Sequence, residues 1–262
     1  MNIILNEREW ARSTIAARQL GARPADTLGR IARYYYQCEG FRRGEVRAKL
    51  EDFILQCDPD AVLVKWEDVI ERSVRQAGKY PIIDVERVDV TESEMVAIAS
   101  LDGRQMQRLA FTLLCVAKYW NAVREKNNDW VNVSDKDIMG MANLRPSIKR
   151  QGQMFRDLRD AGLIRFSRRV DNLNTQVRFI DNASPAVLHI TDFRNLGSQY
   201  SMYCGEPYFQ CVQCGVVIKR NKNVHKYCPD CAAEMYIKKT VASVMRRRRD
   251  NERTRERKTE AV

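Results

Sequence analysis

Histidine is almost missing from this 262-residue chain, which holds only His189 and His225. Glycine-rich loops of the kind that cradle phosphates are missing too, and no nucleophile–base set can be assembled, so the chain reads as non-enzymatic. Asp58, Asp60, Asp157 and Asp160 read as turn formers and helix-surface charges rather than catalytic acids. Long apolar runs are also lacking. The longest, residues 109–117, is far shorter than the roughly 20 residues a bilayer-spanning helix needs, so no membrane partner is expected. No secretory leader is read at the start, where charge follows the first five residues, and a cytoplasmic location is expected. There is no internal repeat.

Positive charge is what the chain has in excess. The net charge is +11 and 44% of residues are apolar, which suits a packed core with a polyanionic partner such as nucleic acid. Eight cysteines are present, and four of them fall into two Cys-x-x-Cys pairs. In a reducing compartment that arrangement points to metal before disulfide.

Residues 130–181 read as a winged helix-turn-helix because of the order of their parts. A short β-branched and aromatic run, 130–133, precedes Ser134 and Asp137, a helix start in which a hydroxyl satisfies free backbone N–H groups. Ile138, Met139 and Met141 belong to that short helix, which ends in a tight turn at 143–146, before Pro146. A second helix is predicted over about 146–161, with Pro146 in its first turn and Gly162 past its end. Ile148, Phe155 and Leu158, with Met154, are expected to pack inward. The face carrying Arg145, Ser147, Lys149, Arg150, Gln153 and Arg156 points elsewhere and is expected to contact nucleic acid. Residues 163–169 and 176–180 read as two strands of a small hairpin wing joined by 170–175. Arg165, Arg168, Arg169 and Arg178 give the wing positive charge, with Arg168 and Arg169 as expected contacts. In such modules the second helix enters the major groove while the hairpin lies along the backbone.

The first eighty residues are predicted to form a helical domain, with helices from Asn6 to about Leu20, from Pro24 to Gly40, over 44–57 and over 63–77. Residues 81–103 are expected to be a linker, with a short strand over 82–90 and a short helix over 91–100. A long helix over 104–126 then opens the winged module, which extends to about residue 200. The 25–77 pattern, including Tyr34, Tyr35, Gly40, Phe53 and Trp66, faintly resembles the helical module at the tail of some phage and plasmid primases.

Residues 201–236 are expected to form a zinc ribbon or knuckle. Cys211 and Cys214 stand two residues apart, as do Cys228 and Cys231, so each pair can reach one ion from a tight turn. Four thiolates favour structural Zn2+ and leave no open position for catalysis. Val216 to Lys219 and Val224 to Tyr227 are expected to form the hairpin between the pairs. His225 is the one alternative ligand, Cys204 is not expected to coordinate, and Cys38, Cys57 and Cys115 read as small hydrophobes. Lys219, Arg220, Lys222 and Lys226 lie between the pairs with no acid among them, suited to phosphates. Tyr208, Phe209 and Tyr227 are either base-stacking groups or the module's own miniature core.

Residues 237–262 form a basic tail, helical or disordered, with ten Lys and Arg against four Asp and Glu, a net +6. Arg246, Arg247, Arg248 and Arg249 are its expected polyanion contacts. Taken together, Leu109 to Leu114, Val170 to Leu173, Asp192-Phe193-Arg194-Asn195-Leu196-Gly197 and the cysteine knuckles with Lys226-Tyr227-Cys228 resemble uncharacterised proteins of phages and mobile elements of Gram-positive bacteria. The resemblance implies a winged helix joined to a four-cysteine ribbon, and no activity. The expected fold is mainly α. The expected function is nucleic-acid binding, DNA ahead of RNA, in mobile-element regulation or replication. The alternative is docking on a nucleic-acid-processing protein complex, for example as an inhibitor of a host defence nuclease.

Overall fold

Asn6 starts the first helix because its side-chain oxygen accepts the Glu9 N–H at 2.8 Å, satisfying one of the free donors of a helix end. The computed structural model describes residues 3–168, 174–220 and 226–259, with the backbone alone at 238, 242 and 248–259. Among these residues the chain is mainly helical, with three small antiparallel sheets. No described helix is long and apolar enough to cross a membrane.

Four helices and a 3-10 turn build the N-terminal core: α1 (Glu7–Ala17), α2 (Pro24–Gln37), α3 (Arg43–Cys57), the turn Leu63–Trp66 and α4 (Glu67–Gln76). Leu28, Ile31, Val46, Leu50, Phe53, Ile54 and Ile70 fill its centre. The fourth helix, expected from residue 63, is α-helical only from Glu67. In the tighter 3-10 turn residues three apart eclipse, so Leu63 and Trp66 pack together against the core while Val64 points to solvent. Glu7 is buried and ion-paired with Arg30 and Arg33 of α2, and it also accepts the Ile83 N–H at 3.1 Å. A carboxylate so placed fastens α1 to its neighbours, since a buried charge must keep its partners.

The chain continues through β1 (Val88–Thr91), α5 (Glu92–Ala99), α6 (Arg104–Val123), β2 (Trp130–Val131), α7 (Asp135–Met141), α8 (Ile148–Asp160), β3 (Ile164–Phe166), β4 (Thr175–Val177), β5 (Ala186–Ile190) and α9 (Leu196–Tyr203). Twelve of the twenty residues of α6 are buried, so this helix is the axis on which the others pack. Residues 81–103 do not behave as a linker. Val88, Val90, Met95 and Ile98 join the core of α6, and β1 pairs antiparallel with β5 in the register Asp89 opposite His189. Glu94 in α5 is fully buried: it receives Lys118 Nζ of α6 on both oxygens, at 2.8 and 2.9 Å, and the N–H groups of Thr91 and Asp181.

α7 and α8 lean on α6 through Ile138, Met139, Met141, Met154, Phe155 and Leu158. Ser134 caps α7 as expected, accepting the Asp137 N–H at 3.2 Å. The second helix begins two residues later than expected. Ser147 is its cap, accepting the Arg150 N–H at 3.3 Å, which leaves Pro146 outside the helix. Ile148, expected in the core, is 90% exposed. Helical spacing aligned it with Phe155, but at the first helical position no neighbouring element stands in front of that face. β2, β4 and β3 form one sheet in the order β2-β4-β3, with Trp130 opposite Gln176 and Ile164 opposite Val177. The strands are shorter than expected, and residues 170–173 of the expected joining loop lie outside the described residues.

The C-terminal part comprises β6 (Tyr208–Gln210), β7 (Val217–Lys219) and α10 (Pro229–Thr259). β7 pairs with β6, with Phe209 opposite Ile218, so the strand after the first cysteine pair has its described partner before that pair; Val224 and His225 of the expected second strand lie outside the described residues. The basic tail is part of α10, which runs 31 residues from the second cysteine pair.

Candidate metal centre and cationic surfaces

Cys211 directly follows β6 and Cys214 precedes β7, so the first pair occupies the turn of the hairpin. Cys211 N–H donates to Val216 O and Gly215 N–H to Cys211 O, both at 2.9 Å. That tight return puts Gly215 at φ +74°, a conformation glycine adopts without penalty. The second pair lies at the start of α10: Cys228 immediately precedes Pro229, and Cys231 is in the first turn. This departs from a two-knuckle ribbon, since a helix end replaces the second hairpin. The two halves are joined by Val212 N–H to Lys226 O, 3.0 Å, and by Cys228 N–H to Cys211 Sγ, 3.3 Å.

All four sulfurs lie within 4.8 Å of one another, and Cys214 Sγ is 3.6 Å from Cys228 Sγ. Tetrahedral coordination with metal–sulfur bonds of 2.3 Å requires sulfurs about 3.8 Å apart, so the cage has the size of one ion. Burial works against ionising the Cys211 thiol, but the N–H groups of Cys214, Cys228 and Gln213 outweigh it and hold its pKa down to about 6. Burial and the neighbouring thiols push Cys231 up. A cluster with one ready thiolate and crowded thiols around it is what a divalent cation would relieve, since coordination lets all four ionise. Cys204 stays outside the cluster, half-buried against the α6 core. Cys115 is buried there, whereas Cys38 and Cys57 are half-buried. His225 lies outside the described residues.

Residues 192–197 grip the cysteine module as well as the core. Asp192 orients Arg194 through Nε contacts at 3.0 and 2.9 Å, and Arg194 Nη2 donates to Cys214 O at 2.5 Å. Asn195 Nδ2 donates to Val217 O at 3.3 Å. Phe193 and Leu196, between them, are buried. Phe193 and Leu196 face the core, whereas Arg194 and Asn195 reach the knuckle.

The expected contact residues are all exposed: Lys149, Arg150, Gln153 and Arg156 on α8, Ser147 at its cap and Arg145 in the turn before it. Part of that side is self-paired. Gln153 donates to Asp157 at 2.7 Å, Arg156 donates to Gln153 at 3.0 Å, and Arg150 lies 3.9 Å from Asp157. Ser147 is occupied as a cap. Arg168 is exposed at the hairpin's end, and Arg169 lies outside the described residues. Lys219, Arg220 and Lys226 are exposed around the cysteine module, while Lys222 lies outside the described residues. Arg220 packs over the Phe209 ring with 5.9 Å to its centroid, and Phe209 itself is buried. Arg246 and Arg247 are exposed on α10; the side chains of Arg248 and Arg249 are outside the described set. Comparison with protein-family models, with curated proteins and with solved structures returns no match.

Proposed function

We propose that the protein binds nucleic acid, DNA ahead of RNA, without transforming it. The supporting observation is α8: one side is buried on α6 through Met154, Phe155 and Leu158, and the other presents Lys149, Arg150 and Arg156 to solvent, with Arg145 exposed in the turn before it. A helix anchored in this way offers cations with fixed spacing to a phosphate backbone or groove. The order α6, β2, α7, α8, β3, β4 with the sheet order β2-β4-β3 supports reading residues 104–177 as a winged helix-turn-helix. We read the four-cysteine cage as a structural Zn2+ site, because thiolates at tetrahedral separation suit zinc. Lys219, Arg220 and Lys226, with the basic end of α10, add phosphate contacts beside it. The likeness to phage and mobile-element proteins would place this binding in element regulation or replication.

The test is binding of labelled duplex DNA, single-stranded DNA and RNA over a salt series. Replacing Arg150 and Arg156 by alanine should weaken duplex binding and lower the magnitude of the salt slope by about two, one per lost phosphate contact. Unchanged affinity at low salt would remove α8 as the contact.

A second reading, docking on a nucleic-acid enzyme or ribonucleoprotein, is favoured by Ile148. Ile148, 90% exposed on the same helix as the partly self-paired Arg156, is an apolar side chain that a protein surface could cover. A stoichiometric partner retained from nuclease-treated lysate, and lost with Ile148→Asp, would favour docking over nucleic acid.

A further inference from the structure

A recess of about 410 Å³ opens between the C-terminal end of α6, the edge strand β2 and the end of the β3–β4 hairpin. Arg124, Lys126, Asn127, Trp130 and Asn132 line it, with the hairpin's Ser167 and Asn174 on one side. Its volume is at the small end of ligand clefts, which run from roughly 300 to 1,000 Å³, so it suits one monomer unit and not a helix or strand of protein.

The chemistry of its walls is uneven. No carboxylate lines it among the described residues; Arg124 and Lys126 are both exposed, and the Arg124 guanidinium lies 4.7 Å from the Trp120 ring centroid. This contrasts with α8, whose cations partly pair with Asp157. Asn127 is buried and held rigidly, its Nδ2 donating to Asn121 Oδ1 at 2.9 Å and to Trp130 O at 2.8 Å. The indole of Trp130 is steadied by Arg165, whose guanidinium lies 5.7 Å from the ring centroid. Asn132 is exposed at the rim and offers both a donor and an acceptor. Two cations, an aromatic ring and amides in one recess are the groups that hold a phosphate, stack on a base and bond its edge.

A paired base cannot enter such a recess, because its faces are covered by its neighbours and its edge by its partner. We propose that the recess receives one unpaired nucleotide, so that the preferred ligand is a DNA duplex with a single-stranded extension. The base lies against Trp130 and its phosphates on Arg124 and Lys126. This rests on the nucleic-acid reading above and narrows its ligand.

The experiment compares three probes on the full chain: a blunt duplex, the same duplex with a short single-stranded extension, and that extension with abasic sites. The extended duplex should bind about tenfold tighter than the blunt one, and abasic sites should abolish the gain, since base stacking on an aromatic supplies it. The exposed pair Arg124→Ala with Lys126→Ala, and separately Trp130→Phe and Asn132→Ala, should each reduce the gain while leaving blunt-duplex affinity within about twofold. Wild-type protein that binds the blunt duplex and gains nothing from the extension would overturn the recess and leave the α8 reading standing. A gain that survives all these substitutions would overturn it equally. Binding that needs the extension and ignores Arg150→Ala with Arg156→Ala would uphold the recess and overturn α8. No binding to any probe at low salt would overturn both.

Discussion

Gly197 stands against the backbone of Ala142: a Cβ built on it would lie 2.0 Å from the Ala142 carbonyl oxygen and 2.6 Å from its carbon. Arg108 of α6 donates to the same carbonyl through Nε at 3.1 Å and Nη2 at 2.7 Å, and to Asn143 O at 2.6 Å. Asn143 Nδ2 in turn donates to Ser198 Oγ at 3.1 Å. The turn between α7 and α8 is therefore held from α9, the helix that also follows the grip on the cysteine module.

Gly197→Ala is expected to destabilise the protein by about 1–3 kcal/mol or more, because the obstacle is rigid backbone and not a side chain that can swing away. Urea denaturation followed by tryptophan fluorescence measures it. An unchanged midpoint would mean that α9 does not hold the turn.

Purified protein is expected to contain one zinc per chain, by elemental analysis. Cys211→Ser or Cys228→Ser should abolish it, and cobalt substitution should give thiolate-to-metal charge-transfer absorption. Metal removal should cost most of the order in residues 206–220 and 226–236, where Cys211, Cys228 and Cys231 are the buried centre. Hydrogen exchange should rise there first. Zinc retained in both serine variants would refute the four-thiolate cage.

Glu94→Ala is expected to cost about 3–5 kcal/mol, since it strands Lys118, whose side chain is only 10% exposed, as a buried charge. Thr91 N–H and Asp181 N–H lose their acceptor in the same substitution. Lys118→Met in the Glu94→Ala background should recover part of the loss in thermal melting. A loss under about 1 kcal/mol for the single variant would show that the pair contributes no more than a surface pair does.

Acid sensitivity is expected from Asp181. The hydroxyl of Ser184, that of Ser93 and the Ala183 N–H hold its carboxyl well below the usual carboxylate range. A carboxyl with a lowered folded-state pKa contributes stability that is fully present above a pH of about 4 and is lost as pH falls through the folded value. Asp181→Asn should therefore be less stable than wild type at neutral pH, and the difference should shrink below about pH 4. A difference constant across that window would exclude the carboxylate as its source.

Local signals in the sequence carried far. Asn6, Pro24 and Ser134 mark helix starts through their own backbone chemistry, and the two Cys-x-x-Cys pairs foreshadow the cage by spacing alone. Contacts distant in sequence did not show: Asp89 and His189 face each other across a hundred residues, and nothing in residues 82–90 names its partner strand. Ile148 misled because periodicity says which side of a helix a residue takes, not whether anything stands opposite. The tail was ambiguous because its charge suggests disorder while Arg, Lys and Glu are good helix formers. The start of α10 was legible after all: Pro229 at a first helical position with Asp230 behind it announces a helix directly after Cys228.

A helix of 31 residues is a stiff rod about 46 Å long at 1.5 Å per residue, and here its root is set in the cysteine cage. Small changes in the seating of that root swing the arginines beyond residue 245 through a wide arc, as the tip of a boom moves farther than its pivot. Direction is equally geared: one alanine inserted after Lys239 would turn everything distal by about 100° and bring a different flank of the rod to whatever the protein's body faces.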